Sequence, residues 1–448
     1  MSALVAPSGN VEWLCVPQFD SPSVMAAVLD RDAGRFRLGP SDVQVPAARR
    51  YLPGSMVLET TWKTRTGWMI IRDALTVGRW HHVEERAHRQ RRPPADWEAE
   101  HVLVRTARCA QGIVELNLEC EPVFDYGKNP ATWEYVGSTY HEALATGGET
   151  GFDLKLHTDL RLGFEGPRAG ARTTLREQET AFVALSWSEH GGPGNFHEAF
   201  ERMDSTSDYW REWLSHGNFP DHPWRAQLER SALTLRGLTY APTGAIAAAS
   251  TTSLPRVPGG ERNYDSRYNF VRDAAFALWS GYNLGFEWES DDHFYFLAEV
   301  AGKQGELQNI YGVGGERDLK ERKLKHLSGY ENSRPVRIGN EAYRYEQHDT
   351  WGALLDNLHV ASGLKRRGIG SRLLALTAQA VIDRPPPTGL YLWVLEQNAD
   401  AQAFYRARGG RCVERDLVPA PGGVQSRLKG SPAGLRYAWP DPGVLLRK

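Results

Sequence analysis

Cysteine is scarce: four residues in 448, Cys15, Cys109, Cys120 and Cys412, and none of them stands in a CxxC pair. That spacing speaks against a zinc site and against a disulfide-stapled scaffold. Long apolar runs are missing too, since no stretch approaches the ~20 residues that cross a bilayer. The N-terminus, Met1-Ser-Ala-Leu-Val-Ala-Pro7, lacks a basic region followed by a long apolar one, so no secretory signal is read and the cytoplasm is the expected location. A net charge of one sign is also absent, with 53 Lys+Arg against 55 Asp+Glu. The 41% hydrophobic and 24% charged content excludes a mostly disordered chain. The length is that of about three domains at ~150 residues each. The 15 Trp, 17 Tyr and 15 Phe supply bulk for a sizeable core or for flat ligand surfaces.

The near-neutral total hides an asymmetry. From Asn357 onward there are 14 basic and 6 acidic residues; before it there are 39 basic and 49 acidic. A sign change this sharp points to two pieces with different ligands or origins, the basic one suited to an anionic cofactor or simply solvated. The pattern of elements changes along the chain in the same sense. Up to about residue 195 it reads as short strands: Val11–Cys15, Met56–Trp62, Ala181–Trp187, and a hairpin of Val102–Arg108 with Ile113–Glu119 around Gln111-Gly112. Strands at this spacing predict a β-sandwich. Arg86–Pro94, basic with two prolines, reads as an exposed loop, and no nucleic-acid partner is expected from it. Residues 196–215 carry apolar positions at helical spacing, as a helical linker; Trp224, Leu228, Ala232, Leu235 and Leu238 mark one face of the next helix. After Trp351 the order becomes strand (Leu358–Val360), helix (Ser371–Ile382), buried-type strand (Leu390–Leu395) and helix (Ala399–Arg408), an α/β pattern.

The densest chemistry lies in Asn263-Tyr-Asp-Ser-Arg-Tyr-Asn-Phe-Val-Arg-Asp273. Carboxylates and guanidinium groups beside flat rings suit a sugar, whose hydroxyls point in fixed directions from an apolar C–H face. A buried salt-bridge cluster satisfies the same pattern. The segment resembles the Asn-Trp-Asp-x-Arg-Tyr-x-Trp-x-Arg-Asp motif of glycoside hydrolase family 15, the bacterial glucoamylase and trehalase group. Similar family blocks are Ala3–Pro22, Leu233–Thr239, Pro242–Pro255, Tyr282–Glu289, Tyr311–Arg317, His326–Tyr330, Arg334–Asn340 and Gln347–Gly352; Arg49–Trp62 looks like the trehalase branch. The resemblance covers residues 1 to about 353. It implies a β-sandwich followed by an (α/α)6 barrel, no cofactor, and inverting hydrolysis of an α-glucoside such as trehalose. It also implies that Arg272 and Asp273 hold glucose hydroxyls while Tyr264, Arg267 and Tyr268 line the subsite. Tyr264 and Phe270 stand where the family commonly shows Trp.

Inversion needs two carboxyl groups, one protonating the leaving oxygen and one activating water. In the family these come from a Trp-Glu element and a Glu-Glu-Tyr-like element beyond the Trp-Gly block, and this chain leaves the pattern near Gly352, before either. Glu316 and Glu321 stand where the family carries glutamates in addition to its catalytic pair. The expectation is a truncated, inactive hydrolase chain.

A second motif, Leu358-His-Val-Ala-Ser-Gly-Leu-Lys-Arg-Arg-Gly-Ile-Gly-Ser371, runs from a strand through a basic glycine turn into a helix. Backbone N–H groups at such a start cradle a pyrophosphate. With Asn398–Gly409 downstream, it resembles the acetyl-CoA-binding half of the GNAT N-acetyltransferases. The resemblance implies cofactor contacts from Leu358, Val360, Arg366, Arg367, Gly368, Ile369, Gly370, Ser371 and Asn398, and Tyr405 as general acid on the departing thiolate. The expected architecture is therefore multidomain: a β-sandwich (1–195), a helical linker (196–221), a partial (α/α)6 barrel (222–353) and a partial acetyltransferase unit (354–448). An acetyltransferase and an inactive fusion product are the alternatives to the hydrolase reading.

Overall fold

The computed structural model describes residues 1–78, 99–148, 151–188, 191–286, 292–293, 295–297, 299–300, 308–345, 369–383, 389–418 and 432–446. Arg86–Pro94, Leu358–Val360 and the basic glycine turn through Gly368 therefore lie outside the described residues. The chain divides into two compact units: Met1–Phe270 with Asn283–Phe286 and Ile310–Tyr343, and Val271–Tyr282 with Glu287–Asn309 and Arg344–Lys448. This division does not follow the four expected segments.

The first unit opens with fifteen strands: β1 (Ala3–Val5), β2 (Asn10–Cys15), β3 (Ser23–Met25), β4 (Arg35–Pro40), β5 (Ala48–Tyr51), β6 (Leu58–Lys63), β7 (Gly67–Val77), β8 (Ala99–Glu121), β9 (Asn129–Pro130), β10 (Thr132–Tyr135), β11 (Glu142–Thr146), β12 (Leu154–Thr158), β13 (Gly163–Glu165), β14 (Arg168–Arg176) and β15 (Thr180–Ser186). They form two antiparallel layers that share β8, whose first half pairs with β7 and β15 and whose second half pairs with β4 and β14. The expected hairpin at Gln111-Gly112 is thus one continuous 23-residue strand that changes sheets. Gly112 (φ +75°) permits the bend, and its bare α-carbon lets Thr66 O approach to where a Cβ would lie 2.2 Å away. Between the layers Trp62, Phe36, Leu116, Leu118, Val183 and Leu185 are fully or almost fully buried in one apolar cluster. Through it passes a buried ion pair, Arg105 to Asp73 at 2.7 Å, whose guanidinium also donates to Phe36 O and Gly9 O at 2.7 Å each.

Helix α1 (Phe196–Ser215) begins at Asn195, whose side chain accepts from Glu198 N at 3.0 Å. It is no free linker. Ala199 and Met203 pack on Val102, Val104 and Phe182 of the sandwich. Tyr209, Trp213 and Leu214 pack with Leu233 of α2 (Arg225–Gly237) and with Phe286, whose ring lies 4.1 Å from that of Trp213 and parallel to it. Three two-residue ladders follow: β16 (Thr239–Tyr240) with β17 (Ala245–Ile246), β18 (Asn269–Phe270) with β19 (Ile310–Tyr311), and β20 (Arg322–Lys323) with β21 (Arg337–Ile338). The returning segment closes a second core, in which Leu324, Leu327, Val336 and Ile338 pack on Trp13, Cys15, Leu29 and Tyr126.

In the second unit, α3 (Val271–Asn283) buries Val271, Ala274, Ala275 and Leu278. Helices α4 (Ile369–Ile382) and α5 (Ala399–Ala407) pack with β22 (Leu390–Leu395), β23 (Arg411–Leu417) and β24 (Ala433–Trp439), an antiparallel sheet in the order β22-β24-β23. β22 alternates rather than being buried throughout: Leu390, Leu392 and Val394 face the core, while Tyr391, Trp393 and Leu395 are exposed. The residues of β22 that face the core pack with Leu374 of α4, Tyr405 of α5 and Leu435, Tyr437 and Trp439 of β24.

Candidate functional site

The motif at 263–273 starts in extended backbone, where successive side chains point to opposite sides. Asn263, Asp265, Arg267 and Asn269 have no exposed surface, whereas Tyr264 between them is 48% exposed. The buried side of this segment is the polar one. Arg267 holds both oxygens of Asp265, Nε to Oδ1 at 2.9 Å and Nη2 to Oδ2 at 2.7 Å. Its remaining donors reach Ser21 O at 2.9 Å and Tyr126 Oη at 3.0 Å, and it sits over the rings of Trp13 and Tyr126. Tyr268 donates to Asp265 Oδ2 at 3.1 Å, and Gly339 N donates to both Tyr268 Oη and Asp265 Oδ2. Gly339 (φ +79°) can present its N–H there because a Cβ would lie 2.2 Å from Lys320 O. Asn340 Nδ2 donates to Asp265 O at 2.8 Å.

Burial works against the Arg267 charge, and Asp265 outweighs it, so the guanidinium is held more firmly protonated than usual. Burial, with Asp265 beside it, pushes the Tyr268 phenol far up; burial pushes Tyr126 to about 12 and the Cys15 thiol to about 11. None of these groups exchanges protons near neutrality. Arg267 and Tyr268, both implied to line a sugar subsite, are spent on internal bonds, and they fix Asp265 against the sandwich and the 339–340 loop.

Tyr264 is the exposed ring. Arg337 lies over it, its guanidinium carbon 5.2 Å from the ring centre. Arg337 is in turn held by Glu321 at 2.9 Å and donates to Glu261 O and Asn263 O. The Glu316 carboxylate receives Gly314 N at 3.0 Å within its own turn. Both Glu316 and Glu321 are therefore occupied by structural partners. Arg272 and Asp273 open α3, 3.6 Å apart, with side chains 39% and 50% exposed.

Three participants were not picked out from the sequence. Asp265 was within the quoted motif without a role, although it is the acceptor around which the cluster forms. Asp20 accepts from Val313 N at 3.1 Å, and burial, with Glu316 nearby, raises its carboxyl above the ordinary range. Arg337 lay in the Arg334–Asn340 block. The signal for Asp265 was a polar, period-2 alternation from 263 to 269, the inverse of the usual apolar one.

A cavity of about 840 Å³ lies elsewhere in the first unit, bordered by Tyr51, Leu75, Trp187, Trp210, Arg236 and Tyr240 among others. None of Tyr264, Arg267 and Tyr268 borders it.

In the C-terminal unit, Ile369, Gly370 and Ser371 form the start of α4, while Leu358, Val360, Arg366, Arg367 and Gly368 lie outside the described residues. The Asn398 side chain caps α5, accepting from Ala401 N at 3.1 Å. Tyr405 is nine-tenths buried, its ring about 6 Å from those of Tyr437 and Trp439. Cys15, Cys109 and Cys120 are buried free thiols, Cys412 is an exposed one, and no described helix is long and apolar enough to cross a membrane.

Residues 224–381 match the family model of glycosyl hydrolases family 15, and residues 1–76 match that of the trehalase-like N-terminal region. The family 15 match runs past the expected junction near residue 353, where the chain was expected to leave the family pattern, and continues to residue 381 within α4. The chain is 58% identical over 366 residues to the trehalase of Mycolicibacterium smegmatis, covering 80% of this chain and 55% of that protein. The Mycobacterium tuberculosis trehalase gives 57% over 366 residues, with 80% and 54% covered. A trehalase of Thermoplasma acidophilum gives 28%, with 80% and 58% covered. The chain thus spans just over half the length of these relatives. In fold it is similar to a bacterial glucoamylase solved with acarbose, at a TM-score of 0.55 and 12% identity, covering 85% of this chain and 56% of that one.

Proposed function

We infer that this chain, trehalase-like and of glycosyl hydrolases family 15 over its matched residues, is the sugar-holding part of an α-glucoside hydrolase and does not itself complete the hydrolysis. The observation that carries the trehalase-like reading is the 58% identity over 366 residues to the Mycolicibacterium smegmatis trehalase. Trehalose, an α-glucoside, is the substrate class. Arg272 and Asp273 are the pair that grips its hydroxyls, by bidentate and charge-assisted bonds. Tyr264, in the first unit, exposes an aromatic ring of the kind on which sugar C–H groups pack. Arg267 and Tyr268 act one step back, as positioning residues that hold the loop carrying Tyr264.

Inverting hydrolysis places two carboxyl groups roughly 6.5–9.5 Å apart across the scissile bond, and it needs no cofactor. Glu316 and Glu321 are engaged elsewhere, so neither serves as the proton donor or the water activator in this reading. Loss of proton transfer at both ends of the bond removes a factor of ~10²–10⁴ for each group. Titration calorimetry with trehalose tests binding: the expected result is a saturable heat that Arg272→Ala reduces at least ten-fold. Glucose release is the second arm. Turnover of trehalose by the purified chain overturns the inactivity claim.

A second reading concerns the C-terminal unit as an acetyl-CoA-binding remnant of a GNAT-type acetyltransferase. What favours it is α4, which follows the basic glycine-containing sequence, and after it a strand, a helix and two antiparallel strands of which the last pairs with β22. Asn398 and Tyr405 are engaged inside the unit, so this reading extends to binding and not to acetyl transfer. Heat on adding acetyl-CoA supports it. Heat with neither compound favours an inactive fusion product.

A further inference from the structure

We propose that the cavity of about 840 Å³ in the first unit binds a neutral sugar, through residues other than Arg272 and Asp273. The cavity lies where strands of the sandwich meet α1, α2 and β16, and its border falls within the first unit. Its volume is in the ~300–1,000 Å³ range of small-ligand pockets. Aromatic rings border it from four places in the fold: Tyr51 ends β5, Trp187 follows β15, Trp210 stands on α1 and Tyr240 on β16. The proposal holds whether or not Arg272 and Asp273 grip trehalose.

The polar atoms on that border identify the class of ligand. Three buried ones have no hydrogen-bond partner among the described residues. The first is Asp73 Oδ2, on a side chain only 4% exposed, whose other oxygen accepts from Arg105 Nε at 2.7 Å. The second is Trp187 Nε1, on a residue 9% exposed. The third is Arg49 Nε, whose neighbouring Nη2 donates to Val5 O at 2.6 Å. Buried polar atoms are ordinarily paired, so an occupant that supplies these bonds is favoured. One of the three is an acceptor and two are donors. A hydroxyl both donates and accepts, so one kind of group serves all of them. An anion would meet the Asp73 carboxylate and a cation the Arg49 guanidinium, which selects against charge of either sign. The rings pack on the C–H faces of a pyranose. A water molecule can serve one polar atom at a time, but it brings no face for the rings. A neutral sugar brings both.

The test uses the full chain carrying Arg272→Ala, so that the pair assigned to trehalose is disabled. Calorimetric titration with glucose and with trehalose is expected to give a saturable one-site heat for at least one of them. Gly237→Phe and Trp187→Phe, added singly, are each expected to weaken that binding at least ten-fold. Gly237 borders the cavity, and beyond its own helix a Cβ there would meet only Met56 Cε, at 3.4 Å, so the new ring takes up cavity volume. Phe at 187 keeps a ring and drops the donor. A second arm uses the unsubstituted chain and so does not depend on how the variants fold. Met56 is partly buried on the same border, and its oxidation by hydrogen peroxide, followed by mass spectrometry, is expected to slow at least three-fold at saturating sugar. No heat from either sugar in the Arg272→Ala chain overturns the cavity site and leaves the reading of Arg272 standing. Heat indifferent to both cavity substitutions, or Met56 oxidation unchanged by sugar, overturns it too. Glucuronate or glucosamine binding as tightly as glucose overturns the assignment to a neutral ligand.

Discussion

Arg267 and Asp265 have no contact with water, so each provides the solvation the other has lost. A buried pair of this kind gains little over an apolar replacement, but removing one member leaves a bare charge, at about 3–5 kcal/mol. Asp265→Asn is therefore expected to lower the unfolding free energy of the first unit, measured by urea denaturation, by that much. Arg272→Ala, on an exposed helix start, is expected to change it by no more than ~0.5 kcal/mol. Equal losses from the two would show that the cluster is not the anchor described here. Asp20 is one source of pH dependence. Its carboxyl is raised in the folded chain by burial, with Glu316 nearby, against the pull of Val313 N–H and Arg267. The folded state therefore binds that proton more tightly than the unfolded one. Its contribution is fully present below the ordinary Asp value near ~4 and declines as pH rises through the folded value. Asp20→Asn, whose amide oxygen still accepts from Val313 N, is expected to flatten that decline in denaturation curves recorded from pH 4 to 7. At this scale the sequence shows which residues cluster and conceals which way they point. Alternation from 263 to 269 puts the polar groups inside, and the ring that meets solvent, Tyr264, is flanked by residues that never do.

Elements with a strong local signal were legible. Helix α1 was expected at 196–215 and spans Phe196–Ser215, because its apolar residues recur at helical spacing; the cap at Asn195 is seen only in the structure. Asn195→Ala is expected to cost about 1 kcal/mol, read in the thermal midpoint. β8 was misread for an equally local reason. Gln111-Gly112 between two apolar stretches is a hairpin signal, yet whether the chain reverses or merely bends depends on partners elsewhere in the sequence. β7 and β15 flank the first half and β4 and β14 the second, so no edge of β8 is left for its own other half. The positive φ that made glycine look like a turn residue is used for the bend. Gly112→Val forces a branched side chain into that conformation and against Thr66 O. A loss of roughly 1–3 kcal/mol is expected, and a neutral result would mean that the strand re-routes.

The whole molecule is organised by return of the chain rather than by consecutive segments. Reading along the sequence places a boundary after the sandwich, near residue 195. Contact instead ties residues 310–343 back to the first unit, across α3 and the stretch after it. No local pattern announces such a return, since the ladders involved are two residues long. Its energetic weight is nonetheless large. Leu324, Leu327, Val336 and Ile338 are buried against Trp13, Cys15 and Tyr126. At about 1.5–3 kcal/mol for each buried aliphatic side chain, they contribute on the order of 6–12 kcal/mol, comparable with the whole stability of an ordinary domain. Gly339 N and Asn340 Nδ2 add the donors that satisfy Asp265, and without them a buried carboxylate loses part of its shell. A chain ending at residue 270 is therefore expected not to fold, although it contains every strand of the sandwich. A chain ending at residue 345 is expected to keep a cooperative thermal transition at the temperature seen for the sandwich signal in the full protein, followed by near-ultraviolet circular dichroism of the buried Trp13 and Trp62. A cooperative transition in the 270-residue chain would show that the sandwich stands alone and that the return of residues 310–343 only decorates it.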